Sequence, residues 1–362
     1  MLSLKRPLFA ILWFCIFFAG FLSIAGTVLA LYAYFTGHDA ATVGIMASKL
    51  MEGRLNSIML PLFVIAMAAS MKGWLPGTRL KEEALSDSEQ SPRCGFSDAL
   101  ALVVYLVLIQ TGLGFLQGAV WESIGMPSIA RMPVAFCTLG GLSSIILALF
   151  ALHRSRTSAA SLLSSASVNY ALFPLLLLIV AGSALIGSEI DNMQRTLFWY
   201  PDIQWKLMGE LQNQGFLSLF LLVIIGPFAE ELVFRGIVLK SFMLQYSPAK
   251  AIVLSAIIFS CAHMDPLQML PAFGMGILLG WLYFATGNLW LCISLHSAQN
   301  LLSFIAYHDL LPFRIAGFTG SSVEKYQFLP LWADVLGILL LALGIAAIHG
   351  IVKRDNGKEV TS

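Results

Sequence analysis

The chain has 362 residues, of which 58% are hydrophobic and only 11% are charged, whereas a soluble domain carries about 25% charged residues. This composition excludes an ordinary soluble enzyme. The formal net charge of +1 gives no reason to expect a nucleic-acid partner, since such proteins present a strong excess of positive charge.

Apolar segments recur along the whole chain, and many approach the length of about 20 residues that spans a bilayer. We therefore predict an all-α fold, a polytopic bundle of about ten membrane-spanning helices. The predicted helices lie near residues 8–35, 55–74, 98–121, 130–152, 168–188, 216–243, 250–265, 267–285, 289–307 and 329–351.

The predicted helices divide into two groups. We predict accessory N-terminal helices in residues 1–167, a membrane core in residues 168–352 and a short polar tail in residues 353–362. Lysine and arginine are more numerous in the loops on the side of the N-terminus, and such loops are typically cytoplasmic. We therefore expect an integral, multi-pass protein of the cell (inner) membrane with both termini in the cytoplasm.

The cysteines show no pattern of disulfide or metal binding. None of the five forms a CxxC pair, and four of them fall in apolar segments, which indicates packing residues. They are Cys15, Cys94, Cys137, Cys261 and Cys292.

Ionisable residues inside the predicted helices are the main functional signal. A charge at membrane depth costs several kcal/mol unless it is paired, so such residues usually have a function. Glu231 and Arg235 are four residues apart, so they share a helix face and can neutralise each other. Glu230 points about 100° away from Glu231 and needs a partner on another helix. Glu230 is therefore the better candidate for chemistry.

Two further helices carry polar residues at the same four-residue spacing. Phe259 and His263 share one face, where the ring is suited to shield the imidazole. His296 and Asn300 share a face of a later helix, and both can donate hydrogen bonds. At about 1.5 Å per residue, these polar groups lie roughly 11 to 20 Å from the predicted cytoplasmic helix ends, at similar depth.

A carboxylate, two imidazoles and a carboxamide at one level are the parts needed to hydrolyse an amide. Glu230 is suited to act as a general base that takes a proton from water and returns it to the leaving amine. His263 would position that water. His296 and Asn300 would donate hydrogen bonds to the oxygen of the tetrahedral intermediate.

These residues resemble three ordered motifs of the CPBP (CAAX protease and bacteriocin-processing) family, the intramembrane glutamic endopeptidases of the CAAX prenyl protease type. The EExxxR motif is similar to Glu230, Glu231 and Arg235, FxxxH to Phe259 and His263, and HxxxN to His296 and Asn300. The similar region covers about residues 216–307.

The resemblance implies that Glu230 and His263 activate water and that His296 and Asn300 form the oxyanion hole. Glu231 and Arg235 then support the site, with no metal, no other cofactor and no covalent acyl-enzyme. The substrate would be a peptide or protein in or at the bilayer, with or without a lipid group.

Other classes of function fit some of the same residues. A proton- or ion-coupled transporter could use the buried Glu, His and Arg groups, and a scaffold could retain the protease fold without its activity. A metal hydrolase would need ligands from the same glutamates and histidines, although HExxH is absent. Cys292 and His296 are also four apart, but no feature of the sequence activates that thiol.

Overall fold

Every regular element in the described part of the chain is helical. The computed structural model describes residues 94–124, 137–164, 170–197, 219–263, 266–319 and 327–359. The chain divides into two units, Met1–Glu89 with Thr111–Met126 and Gln90–Gln110 with Pro127–Ser362. The described helices belong to the second unit, apart from the C-terminal part of the helix Phe96–Ser123. The helices predicted near 8–35 and 55–74 lie outside the described residues.

Ten α-helices follow one another, with short π and 3-10 segments between some of them in the described ranges. They are α1 (Phe96–Ser123), α2 (Ser143–Ser155), α3 (Ala159–Leu163), α4 (Phe173–Leu197), α5 (Gly226–Glu231), α6 (Lys240–Met243), α7 (Pro248–Ala262), α8 (Pro266–Thr286), α9 (Leu289–Tyr307) and α10 (Leu331–Glu359). A π-helix, Cys137–Leu142, precedes α2, and a 3-10 turn, Tyr170–Leu172, precedes α4.

Two π-helices, Leu221–Ile225 and Leu232–Leu239, flank α5 and lead into α6. Together these four segments form one continuous helix, called here the 221–243 helix. A π-turn widens the helix by one residue and shifts the direction of the side chains that follow, and such turns are frequent at functional sites. Glu230 and Glu231 lie on the α-helical part between the two π-helices.

Four segments in the described ranges are long and apolar enough to cross a membrane. They are Tyr170–Thr196, Gln268–Thr286, Leu289–Tyr307 and Leu331–Arg354. The outer surface of α10 exposes large apolar side chains such as Trp332, Ile338 and Leu343, as expected of a helix that faces lipid. The protein is therefore an integral membrane protein with an all-helical bundle, and the total of about ten spans stays a prediction.

Helix positions largely agree with the sequence prediction, but two helices are longer than expected. Helix α4 continues to Leu197, beyond the predicted end near 188, and α10 continues to Glu359, into the predicted polar tail. Polar residues can extend a helix beyond the apolar region when they pair along it, as Asp191 and Arg195 do one turn apart. The predicted division of the chain at residue 167 stays a prediction.

The turn between α8 and α9 fixes where α9 begins. Gly287 has a φ of +62°, a left-handed conformation that glycine adopts without steric cost at a helix C-terminus. Its N–H donates to the carbonyl of Tyr283 at 2.7 Å. Asn288 then caps α9, because its side-chain oxygen accepts from the N–H of Leu291 at 3.2 Å.

Helices α4 and α10 approach each other closely through glycines. A Cβ atom at Gly182 would lie 2.5 Å from the backbone nitrogen of Leu341 and 2.7 Å from the carbonyl oxygen of Gly337. A Cβ atom at Gly344 would lie 2.6 Å from a side-chain carbon of Ile179. Small residues let membrane helices approach in this way, which gains dispersion contacts that lipid does not replace.

Replacing Gly182 with alanine should lower the thermal stability of the purified protein in detergent. Alanine normally favours a helix over glycine by about 1 kcal/mol, but here the added methyl group meets backbone atoms, and overpacking costs about 1–3 kcal/mol. Thermal unfolding of Gly182→Ala measures the change. Gly187→Ala is the matched control on the same helix, since nothing lies within 4 Å of its Cβ position. Equal effects at the two positions would contradict the close approach of α4 and α10.

Candidate active site

The buried ion pair predicted from the EExxxR spacing is present. Nη1 of Arg235 donates to Oε1 of Glu231 at 2.8 Å, and the two side chains are 1% and 0% exposed. Nη2 of Arg235 also lies 3.4 Å from the carbonyl oxygen of Gly276 on α8. The carboxylate therefore has an opposite charge beside it, as burial requires.

His296 of α9 lies between the two glutamates of the 221–243 helix. Its Nδ1 is 2.9 Å from Oε1 of Glu231, and its Nε2 is 3.9 Å from Oε2 of Glu230. A carboxylate only accepts, so Nδ1 carries the proton in the first contact. This contact orients the ring and directs Nε2 toward Glu230.

Glu230 differs from Glu231 in its access to the cavity. The side chain of Glu230 is 27% exposed, whereas that of Glu231 is fully buried. The sequence predicted that Glu230 would find its partner on a neighbouring helix, and the described residues place the imidazole of His296 on α9 beside it. Adjacent carboxylates therefore occupy different environments, one inside the protein and one open to the cavity.

Phe259 packs against the arginine of the charged pair and against both histidines. The guanidinium carbon of Arg235 lies 4.4 Å from the centre of the Phe259 ring, a cation–π contact. The His263 and His296 rings meet the same ring edge-on, at 4.8 Å and 5.8 Å between centroids. Phe259 thus packs against both imidazoles and the arginine.

The backbone fixes the protonation pattern of His263. Its Nδ1 is 2.9 Å from the carbonyl oxygen of Phe259, one turn earlier. A carbonyl only accepts, so Nδ1 is the donor, and in the neutral ring Nε2 is an acceptor. That arrangement suits a nitrogen that receives a hydrogen bond from water.

Asn300 lies one turn after His296 and is held by the 221–243 helix. Its Nδ2 donates to the carbonyl oxygen of Leu222 at 2.8 Å. The preceding residue on α9, Gln299, accepts from the hydroxyl of Ser183 on α4 at 2.8 Å. The polar face of α9 is therefore bonded to two neighbouring helices.

One cavity of about 1360 Å³ connects these groups. Glu230, His263, His296 and Asn300 all line it. Its walls also include apolar side chains of α8, such as Met275 and Trp281, and polar groups of α4 and the loop after α9, such as Asn192 and Gln327. The volume exceeds the range of about 300–1,000 Å³ typical of small-ligand pockets, and it can hold a peptide segment.

The structure brings together all the residues that the three motifs predicted. The catalytic roles given to Glu230, His263, His296 and Asn300 and the supporting roles given to Glu231, Arg235 and Phe259 stay predictions. In the described residues, no three His, Cys, Asp or Glu side chains are placed to hold a metal ion together. Sequence reasoning missed the backbone acceptors at Leu222 and Gly276, because every residue has a main-chain carbonyl and residue type does not show which of them accept.

The described fold and site define the class of this protein as a helical integral membrane protein with a buried carboxylate and imidazole cluster. Residues 212–302 match the family described as "Type II CAAX prenyl endopeptidase Rce1-like". This match confirms, for the segment that carries the cluster, the resemblance to the CPBP family that the three motifs indicate.

A curated protein gives a second similarity. The chain is 31% identical over 91 residues to "Putative membrane peptidase YdiL" of Bacillus subtilis (strain 168), which is 25% of this chain and 36% of that protein. The match thus spans about a third of the length of that relative. No solved structure matches the chain.

Replacing Arg235 with glutamine should destabilise the protein strongly. The change leaves the Glu231 carboxylate buried without its cation, and breaking a buried pair costs about 3–5 kcal/mol. Thermal unfolding in detergent measures the effect. Arg314→Gln is the matched control, because Arg314 also pairs with a carboxylate, that of Asp309, but its side chain is 80% exposed and exposed pairs contribute little. A small effect at Arg235, similar to that at Arg314, would contradict the buried pair.

Proposed function

We propose that this protein is an intramembrane endopeptidase that hydrolyses a peptide bond with water activated by Glu230 and His263. One observation carries the proposal. An accessible carboxylate, Glu230, faces an imidazole, His296, across 3.9 Å at the wall of a cavity that His263 and Asn300 also line. The Rce1-like match over the same segment supports a peptide as the substrate.

The reaction begins with a water molecule between Glu230 and His263. Glu230 takes a proton from the water as its oxygen attacks the peptide carbonyl carbon. The second O–H of the water donates to Nε2 of His263, which is free to accept because Nδ1–H already donates to the backbone. Glu230 then returns the proton to the leaving nitrogen as the C–N bond breaks.

The negative charge that develops on the substrate's carbonyl oxygen is stabilised by hydrogen-bond donors. Asn300 keeps one N–H of its carboxamide available after the other donates to Leu222. A donor at Nε2 of His296 requires that both ring nitrogens carry protons, since Nδ1–H is used by Glu231. Once Glu230 has taken the proton from the water, the carboxylate of Glu231 and the oxyanion itself balance the charges of Arg235 and of the protonated His296 ring.

Glu231, Arg235 and Phe259 support the site without touching the substrate. Glu231 orients His296, Arg235 balances the charge of Glu231, and Phe259 packs between the arginine and the imidazoles. This chemistry uses no metal, other cofactor or covalent acyl-enzyme. The mechanism is therefore of the glutamic type.

The substrate class follows from the cavity and from the bilayer around it. We propose a peptide or protein in or at the membrane, with or without a lipid group, since the walls combine apolar and polar side chains. We further propose that the protein is in the inner membrane with both termini in the cytoplasm, as the distribution of lysine and arginine indicates.

Glu230→Gln and His263→Ala should each abolish cleavage of membrane-inserted or lipidated peptides by the purified protein. Loss of a general base costs about 10²–10⁴-fold in rate, and glutamine keeps the size of the side chain while removing its basicity. The assay is run with and without a chelator, and the wild-type rate should be unchanged by it. His349→Ala, an exposed histidine on α10, is the control and should keep full activity.

Other outcomes would reject the proposal. A rate that falls with the chelator and returns with added metal would replace the glutamic mechanism with a metal-dependent one. Proton or ion flux that Glu230→Gln abolishes, with no peptide in the panel cleaved, would favour a transporter. Wild-type cleavage that survives both substitutions would mean that the reaction uses other residues.

A further inference from the structure

The turn of helix before the two glutamates has an unusual hydrogen-bond pattern. In the π-helix Leu221–Ile225, the N–H of Gly226 donates to the carbonyl of Leu221, five residues earlier. The next bond of this series would run from residue 227 to the carbonyl of Leu222. Residue 227 is a proline, which has no N–H to donate. Within the described helix, this bond is therefore missing.

The carbonyl of Leu222, which receives no bond from Pro227, accepts a hydrogen bond from Asn300 instead. Nδ2 of Asn300, on α9, donates to the oxygen of Leu222 at 2.8 Å. The side chain of Asn300 lines the cavity, so this bond fixes the plane of a carboxamide at the cavity wall. A side chain of another helix thus satisfies a carbonyl that the proline left without a backbone donor, as membrane helices require.

We propose that Pro227 is a positioning residue, which keeps the Leu222 carbonyl available to orient Asn300 in the cavity. A residue with an N–H at this position would donate to Leu222 and compete with Asn300 for the same oxygen. Asn300 would then lose its fixed orientation. The effect on catalysis rests on the proposed function, in which Asn300 donates to the developing oxyanion, but the hydrogen-bond connection itself does not.

A double-mutant cycle in thermal stability tests the connection without any activity assay. Asn300→Ala alone leaves the Leu222 carbonyl without a donor and should lower Tm by about 2–4 °C. In the Pro227→Ala background, the new N–H satisfies that carbonyl. Asn300→Ala should then change Tm by much less. Equal shifts in the two backgrounds would overturn the inference.

Activity gives the second measurement. Pro227→Ala should lower kcat by up to about 10²-fold, approaching the loss of an oxyanion donor, with little change in KM because substrate binding does not use this bond. Lactic acid placed at position 227 by nonsense suppression is the matched control. It has the size of alanine but no N–H, so kcat should return toward the wild-type value.

The two measurements separate the possible failures. If the alanine and lactic acid variants have the same kcat, the missing N–H is not the cause and the inference is wrong. Coupling in Tm, with kcat unaffected by both Pro227→Ala and Asn300→Ala, would contradict the catalytic role of Asn300 in the proposed function. The connection between Pro227, Leu222 and Asn300 would stand in that case.

Discussion

The buried carboxylate of Glu231 is the constraint on which the described helices depend. It lies inside the bundle of a membrane protein, where an unpaired charge is costly, and its Oε1 contacts both Arg235 and His296. Arg235 in turn approaches the carbonyl of Gly276 and the ring of Phe259. One ion pair therefore links the 221–243 helix to α7, α8 and α9.

This arrangement explains how two adjacent glutamates differ in character. Glu231 is enclosed, and its Oε1 accepts from both Arg235 and His296, so it serves the structure. Glu230 faces the cavity, and its Oε2 lies 3.9 Å from Nε2 of His296. The π-helices on either side of the pair shift the helix register, and the first of them provides the carbonyl to which Asn300 is bonded. The irregular backbone and the polar cluster are thus parts of the same site.

The rest of the described bundle forms the walls of the site. Helix α4 contributes Ser183 to the polar face of α9, and it packs on α10 through glycines. The short helix α3 places Leu162 against Gly236, where a Cβ atom would lie 2.9 Å from a methyl carbon of that leucine. The Rce1-like match ends at residue 302, so α10 and the loop before it complete the cavity from outside the matched segment.

The sequence by itself determined the helical class, most helix positions and which side chains share a face. The spacing of Glu231 and Arg235 was enough to predict their ion pair, because residues four apart lie on the same face of an α-helix. Counting residues from the predicted cytoplasmic helix ends also predicted that Glu230, His263, His296 and Asn300 would lie at similar depth in the membrane.

Only the tertiary structure decided the contacts between helices. The bond from His296 to Glu231 and the bond from Asn300 to the Leu222 carbonyl depend on rotations and backbone acceptors that residue types do not encode. The same is true of the two π-helices, which the sequence analysis did not predict. Periodicity assigns a side chain to a face of its own helix, whereas packing decides which neighbour meets that face.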